Sequence, residues 1–144
     1  MWQRIQTLYF ALSTILLTIL AFGNVGSIIT VDAPVENVKY LAKLPYAILI
    51  LLSLALNLVA TFSWKRRSLQ IRLGGASIVL LLALQIWLGV DYFTLSKEFV
   101  FKWTAIFPIF AAIFDLLAMK GVLADEMLVR SASRLRSAKR KSTK

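Results

Sequence analysis

The stretch LPYAILILLSLALNLVATFSW, Leu44 to Trp64, decides the fold. It runs for about 20 residues without a charge, the length at which a helix rising 1.5 Å per residue crosses roughly 30 Å of hydrocarbon. Three comparable runs lie around it: IQTLYFALSTILLTILAFG (Ile5 to Gly23), LGGASIVLLLALQIWLGVDYF (Leu73 to Phe93) and FKWTAIFPIFAAIFDLLAM (Phe101 to Met119). All four are continuous and rich in Leu, Ile and Ala, whereas transmembrane strands alternate in polarity. Backbone groups inside a bilayer must be paired within the segment, which selects helices. A hydrophobic share of 59% agrees. The expectation is an all-α membrane protein: a four-transmembrane-helix bundle with spans at 5–23, 44–64, 73–93 and 101–119.

Lys and Arg in the short flanks orient such a bundle. Arg4, then Lys65, Arg66, Arg67 and Arg72, then Lys120 and the seven basic residues after it lie on one side, 13 of the 17 in the chain. The other side holds Lys39, Lys43, Lys97 and Lys102, offset by Asp32, Glu36, Asp91 and Glu98. Both termini are therefore expected in the cytoplasm, with the chain multi-pass in the membrane. Trp2, Tyr46, Trp64, Tyr92 and Trp103 near the run ends suit interfacial belts. Arg4 and Ala21-Phe22-Gly23 resemble the parts of a signal peptide, but the first run is long for that role and reads as a retained span.

The chain has no Cys and no His. That leaves no thiolate nucleophile, imidazole base or Cys/His metal site, and no catalytic, cofactor-binding or metal residue is assigned. Gly74-Gly75 is too little for a phosphate loop. The first outer loop, about Asn24 to Lys43, contains a β-prone stretch at Ile28 to Val31 and a turn residue at Pro34; a short hairpin or a membrane-lying segment fits it. The second, Thr94 to Val100, is short enough to make the third and fourth spans antiparallel neighbours.

Asp115 is the one carboxylate well inside a run, and a charge there is costly unless it pairs, protonates or reaches water. With Asn57 and Gln85 it forms the expected intramembrane polar cluster. A structural role, bonded to Asn57 or reaching toward Lys120 and Arg4, is favoured over a proton or ion path, because a lone acid makes a poor relay. Thr7, Thr14 and Thr18 share a face suited to bonding across helices. Pro108 interrupts the fourth run and frees the carbonyl of Thr104, which suggests a kink.

The tail, KGVLADEMLVRSASRLRSAKRKSTK, carries the sharpest polar signal. Gly121 loosens the exit from the membrane. Asp125 and Glu126 suit the first turn of a new helix, and Leu128, Ala132 and Leu135 give it a narrow apolar face. Arg130 with Arg134, and Arg136 with Arg140, repeat at i, i+4. A short basic amphipathic helix from Asp125 to about Lys139 is expected, which divides the chain into a membrane bundle, 1–123, and a cytoplasmic tail, 124–144. Anionic lipid headgroups, a groove on another integral membrane protein, and the phosphates of ribosomal RNA are the candidate contacts; DNA is not. The lack of aromatic residues in the tail argues against base stacking.

The start MWQRIQTLYF, the loop RRSLQIRLG and the tail DEMLVRSASRLR together resemble the four-helix integral membrane family of Bacteroidota named for domain of unknown function 4293. The resemblance spans the whole chain. It implies four spans with a charged cytoplasmic tail and brings no activity. It also implies that Arg4, Gln6, Arg67, Gln70, Arg72, Asp125, Glu126, Arg130 and Arg134 belong to the family's cytoplasmic motifs. The resemblance also implies that family tails usually carry an acid where Ser133 stands here, a departure expected to leave Arg130 or Arg134 without one local partner.

The resulting expectation is a non-enzymatic accessory subunit of a larger inner-membrane assembly, with the protein-export machinery a plausible host. Its contact residues for a partner or polyanion are Arg4, Lys65, Arg66, Arg67, Gln70, Arg72, Arg130, Arg134, Arg136, Lys139 and Arg140. The alternatives are a small ion or solute transporter or channel using Asp115, and a membrane tether for ribosomes or anionic lipid.

Overall fold

Four helices, α1 (Trp2–Phe22), α2 (Leu44–Phe62), α3 (Arg67–Thr94) and α4 (Phe107–Ser142), are each long and apolar enough to cross a membrane. They come from a computed structural model that describes residues 2–29, 34–63, 65–94 and 99–142, and their side chains apart from 2–4 and 138–142. Each helix packs on its neighbour in sequence, and α4 closes the ring on α1. Phe10, Leu17, Leu20, Ile50, Leu81 and Leu84 fill the interior, while Ile15, Leu51, Val79 and Ile86 stay exposed on the outside. Outward aliphatic surface of that kind belongs against lipid tails rather than water.

The ends differ from the reading of the runs, for local reasons. Pro45 stands in the first turn of α2, where its missing N–H is no loss. α3 begins at Arg67, ahead of its apolar run, because Gln70 folds inward and donates its amide to the carbonyl of Ala60 at 2.9 Å. That closes the turn from α2 and satisfies a carbonyl near the helix end. α4 begins only at Phe107, after a 3-10 turn at Trp103–Ile106. Pro108 is thus in the first turn of α4 and kinks nothing. The Thr104 carbonyl expected to be free accepts the Phe107 N–H.

At the end away from the basic flanks, the two outer connections join in one small sheet. Strands β1 (Asn24–Ile28), β2 (Glu36–Lys39) and β3 (Phe99–Phe101) are antiparallel in the order β2-β1-β3. Strand pairing begins at Asn24 rather than at Ile28; Thr30 and Val31 lie outside the described residues. Neither loop has enough surface to fold alone, but pairing gives their strands backbone partners. Gly26 makes the close approach possible, since a Cβ there would stand 2.5 Å from the carbonyl oxygen of Val100. Thr104 ties the sheet to α4, donating to the Asn24 carbonyl at 2.7 Å and accepting from the Tyr40 hydroxyl at 3.3 Å. Burial raises the pKa of Tyr40 above its ordinary value, with the Thr104 bond opposing, so its hydroxyl remains a donor. Beside it Asp91 accepts from Lys43 at 3.2 Å and from the Tyr46 hydroxyl.

The largest departure is in α4. The separate amphipathic helix expected from Asp125 is the end of α4 itself, which runs from Phe107 to Ser142 through Gly121. Gly121 loosens nothing here: a Cβ on it would meet the Cγ of Gln6 at 2.8 Å, so the glycine lets α1 pack closely against α4.

Candidate functional site

Each of the four helices contributes one polar side chain to the same fully buried point: Ser13 from α1, Asn57 from α2, Ser77 from α3 and Asp115 from α4. The Ser77 hydroxyl donates to Asp115 Oδ2 at 2.7 Å. The Asn57 amide nitrogen lies 3.2 Å from the same oxygen, 3.0 Å from Ser77 Oγ and 3.2 Å from Ser13 Oγ. Ser13 in turn donates to the Ala111 carbonyl at 3.3 Å. Asp115 is therefore held inside the bundle by neutral donors. Among the described residues, Asn57 Oδ1 and Asp115 Oδ1 have no hydrogen-bond partner.

The expected trio is not one cluster. Asn57 and Asp115 meet, but Gln85 lies two turns further along α3 than Ser77 and lines a separate cleft of about 450 Å³ with Lys102 and Trp103. Ser13 and Ser77 take part instead. Of the threonine face on α1, Thr14 and Thr18 bond the carbonyls of Phe10 and Thr14 within their own helix, both at 2.8 Å. The signal for the two serines was present: in each run the polar residue that joins the cluster lies within about two turns of the end bearing the basic flank. Helix spacing alone does not say which serine faces inward.

At the basic end the expected contact residues divide. Gln70 is buried and occupied by Ala60. Arg67 reaches across to Asp125 of α4 at 3.0 Å, a charge contact in which the N–H is not aligned on the oxygen. Arg130 pairs with Glu126 at 2.6 Å, so its local partner stands one turn back. The two acids expected to start a new helix instead bind arginines. Lys65, Arg66, Arg72, Arg134 and Arg136 are exposed. The side chains of Arg4, Lys139 and Arg140 lie outside the described residues. From Met127 to Ser137 every residue of α4 is exposed, Leu128 at 68% and Leu135 at 73%.

A family model described as Domain of unknown function (DUF4293) matches residues 2–135 of the chain. The chain belongs to that family. No curated protein and no solved structure matches it.

Proposed function

We propose that this family member is a non-enzymatic accessory subunit of a larger inner-membrane assembly, with its basic end in the cytoplasm and the protruding end of α4 as its docking element. The observation that carries this reading is the exposed, helical, basic stretch after Glu126. It holds seven basic residues and no acid, and its described part makes no packed contact with the bundle. A short helix in water is marginal on its own. One that is kept continuous with a membrane span, with two leucines exposed, is suited to a partner surface. The excess of Lys and Arg at that end supports a cytoplasmic placement, and the bacterial source that the family resemblance implies supports the inner membrane. A protein-export machine is a plausible host, since its ribosome and its lipid both lie within reach of such a helix; tethering of ribosomes or anionic lipid by charge alone is the simpler form of the same contact.

Affinity purification from native membranes in mild detergent, with mass spectrometry, tests the reading. A stoichiometric partner is expected, and Arg130→Glu with Arg134→Glu is expected to lose it. Recovery of free protein alone at native expression overturns it.

A transporter or channel using Asp115 has one observation in its favour: a carboxylate deep in the bundle surrounded by neutral donors. Proteoliposome flux abolished by Asp115→Asn would establish that reading in place of the first.

A further inference from the structure

One face of α4 carries a regular seam, against α1 at Gly121 and exposed from Leu128 onward. Leu117, Gly121, Ala124, Leu128, Ser131 and Leu135 follow one another at spacings of four, three, four, three and four, the repeat with which one helix presents itself to another in a coiled coil. Leu and small residues alternate along it from Ala124 onward, which allows a partner backbone to come close. The seam is continuous with the bundle. Its membrane end lies in a groove of about 420 Å³ between α1 and α4, lined by Ile5, Gln6 and Tyr9 on one side and Leu117, Gly121 and Ala124 on the other. Just beyond, Gly121, Ala124, Asp125 and Leu128 surround a recess of about 120 Å³. Those four positions are i, i+3, i+4 and i+7, the diamond of residues that receives one side chain of a facing helix.

Charge selects the occupant. Lys120 and Arg134 flank the seam; Asp125, on its other side, is already paired with Arg67, and the chain has no acid after Glu126. Beyond Glu126 a second copy of this chain would bring only cations to face the cations of the first. A lipid surface is poorly placed, because the helix continues from the span and Leu135 stands about 20 Å beyond Gly121 along the axis. Nucleic acid makes no use of exposed leucines at heptad spacing. We infer that the seam receives one amphipathic helix of a partner protein, apolar on its inner face and acidic on its flanks, seated with a side chain in the Gly121–Leu128 recess. This rests on the subunit reading above and specifies its docking mode.

The test uses the full chain in nanodiscs of phosphatidylcholine and a three-heptad synthetic peptide with Leu and Ala in the seam positions and Glu on the flanks. Saturable binding is expected. Leu128→Ser with Leu135→Ser, and separately Arg134→Glu, are each expected to weaken it by about tenfold or more. These side chains are exposed, so the bundle is untouched. The same peptide with Lys for Glu is expected not to bind. No binding of the Glu peptide overturns the proposal. So does equal binding of polyglutamate or a uridine oligonucleotide, or binding indifferent to the leucine changes, since each means a polyanion site. Dimers of the chain joined through Ser131→Cys overturn it in favour of a second copy. A stoichiometric native partner that photo-crosslinks to the α2–α3 turn and not to position 131 removes this inference while leaving the subunit reading intact.

Discussion

Three acceptor oxygens, on Ser13, Ser77 and Asp115, lie around the Asn57 amide nitrogen, which has two hydrogens to give. The cluster is therefore a shared network, and its members should not act independently. Asn57→Ala and Asp115→Ala, combined in a double-mutant cycle of unfolding in detergent, are expected to couple by about 0.5–1.5 kcal/mol, the range of hydrogen bonds between membrane helices. Gln85→Ala with Asp115→Ala is expected to be additive within about 0.5 kcal/mol, since those residues share no bond. Coupling for the second pair, or none for the first, would reverse the assignment made from the geometry. Asn57 and Asp115 were legible because an amide and an acid are rare inside apolar runs; Ser13 and Ser77 were not, because serine is common there and only packing shows which way it faces. Glycine gives a second contrast. Gly26→Ala is expected to lower stability by about 1–3 kcal/mol, as its Cβ would press on the Val100 carbonyl and the Phe99 ring. Gly89→Ala, with nothing within 4 Å of its new methyl, is expected to cost nothing in the same detergent unfolding assay.

Element ends depend on contacts that hydropathy does not report. The existence of four spans followed from run length, because no shorter element satisfies the backbone in lipid. Their ends did not: the start of α3 is set by Gln70 on Ala60, and α4 starts only after β3 and the 3-10 turn at Trp103–Ile106. The continuity of α4 was also hidden. A glycine followed by two acids looks like the end of one helix and the start of another, yet Gly121 accommodates Gln6 and the acids meet Arg67 and Arg130. A continuous helix makes a sharp prediction. The chain has no Cys, so spin labels on Ile113→Cys and Ser137→Cys report only that pair. A separation of about 36 Å with a narrow distribution is expected, 24 residues at 1.5 Å each. A shorter, broad distribution would mean a hinge at Gly121, and the docking seam would then lose its register with the α1–α4 groove.

For the whole molecule, the asymmetry between its two ends carries the functional argument. One end is closed by a sheet that ties both outer connections together, with Lys43 neutralised by Asp91. The other end gathers the exposed Lys65 and Arg66 of the α2–α3 turn and the projecting end of α4. A partner met through charge must come to the second end, so the side of the membrane on which that end lies decides which compartment supplies it. The excess of Lys and Arg predicts the cytoplasm. Single cysteines at Val35, exposed beside the sheet, and at Ser131, exposed on the α4 seam, test this directly. In intact spheroplasts a membrane-impermeant maleimide is expected to label Val35→Cys and to reach Ser131→Cys only after lysis. The opposite pattern would invert the bundle and remove ribosome, cytoplasmic partner and inner-leaflet lipid together. The four helices and the Asn57–Asp115 network would stand either way, because they rest on packing inside the bundle and not on the direction in which it is inserted.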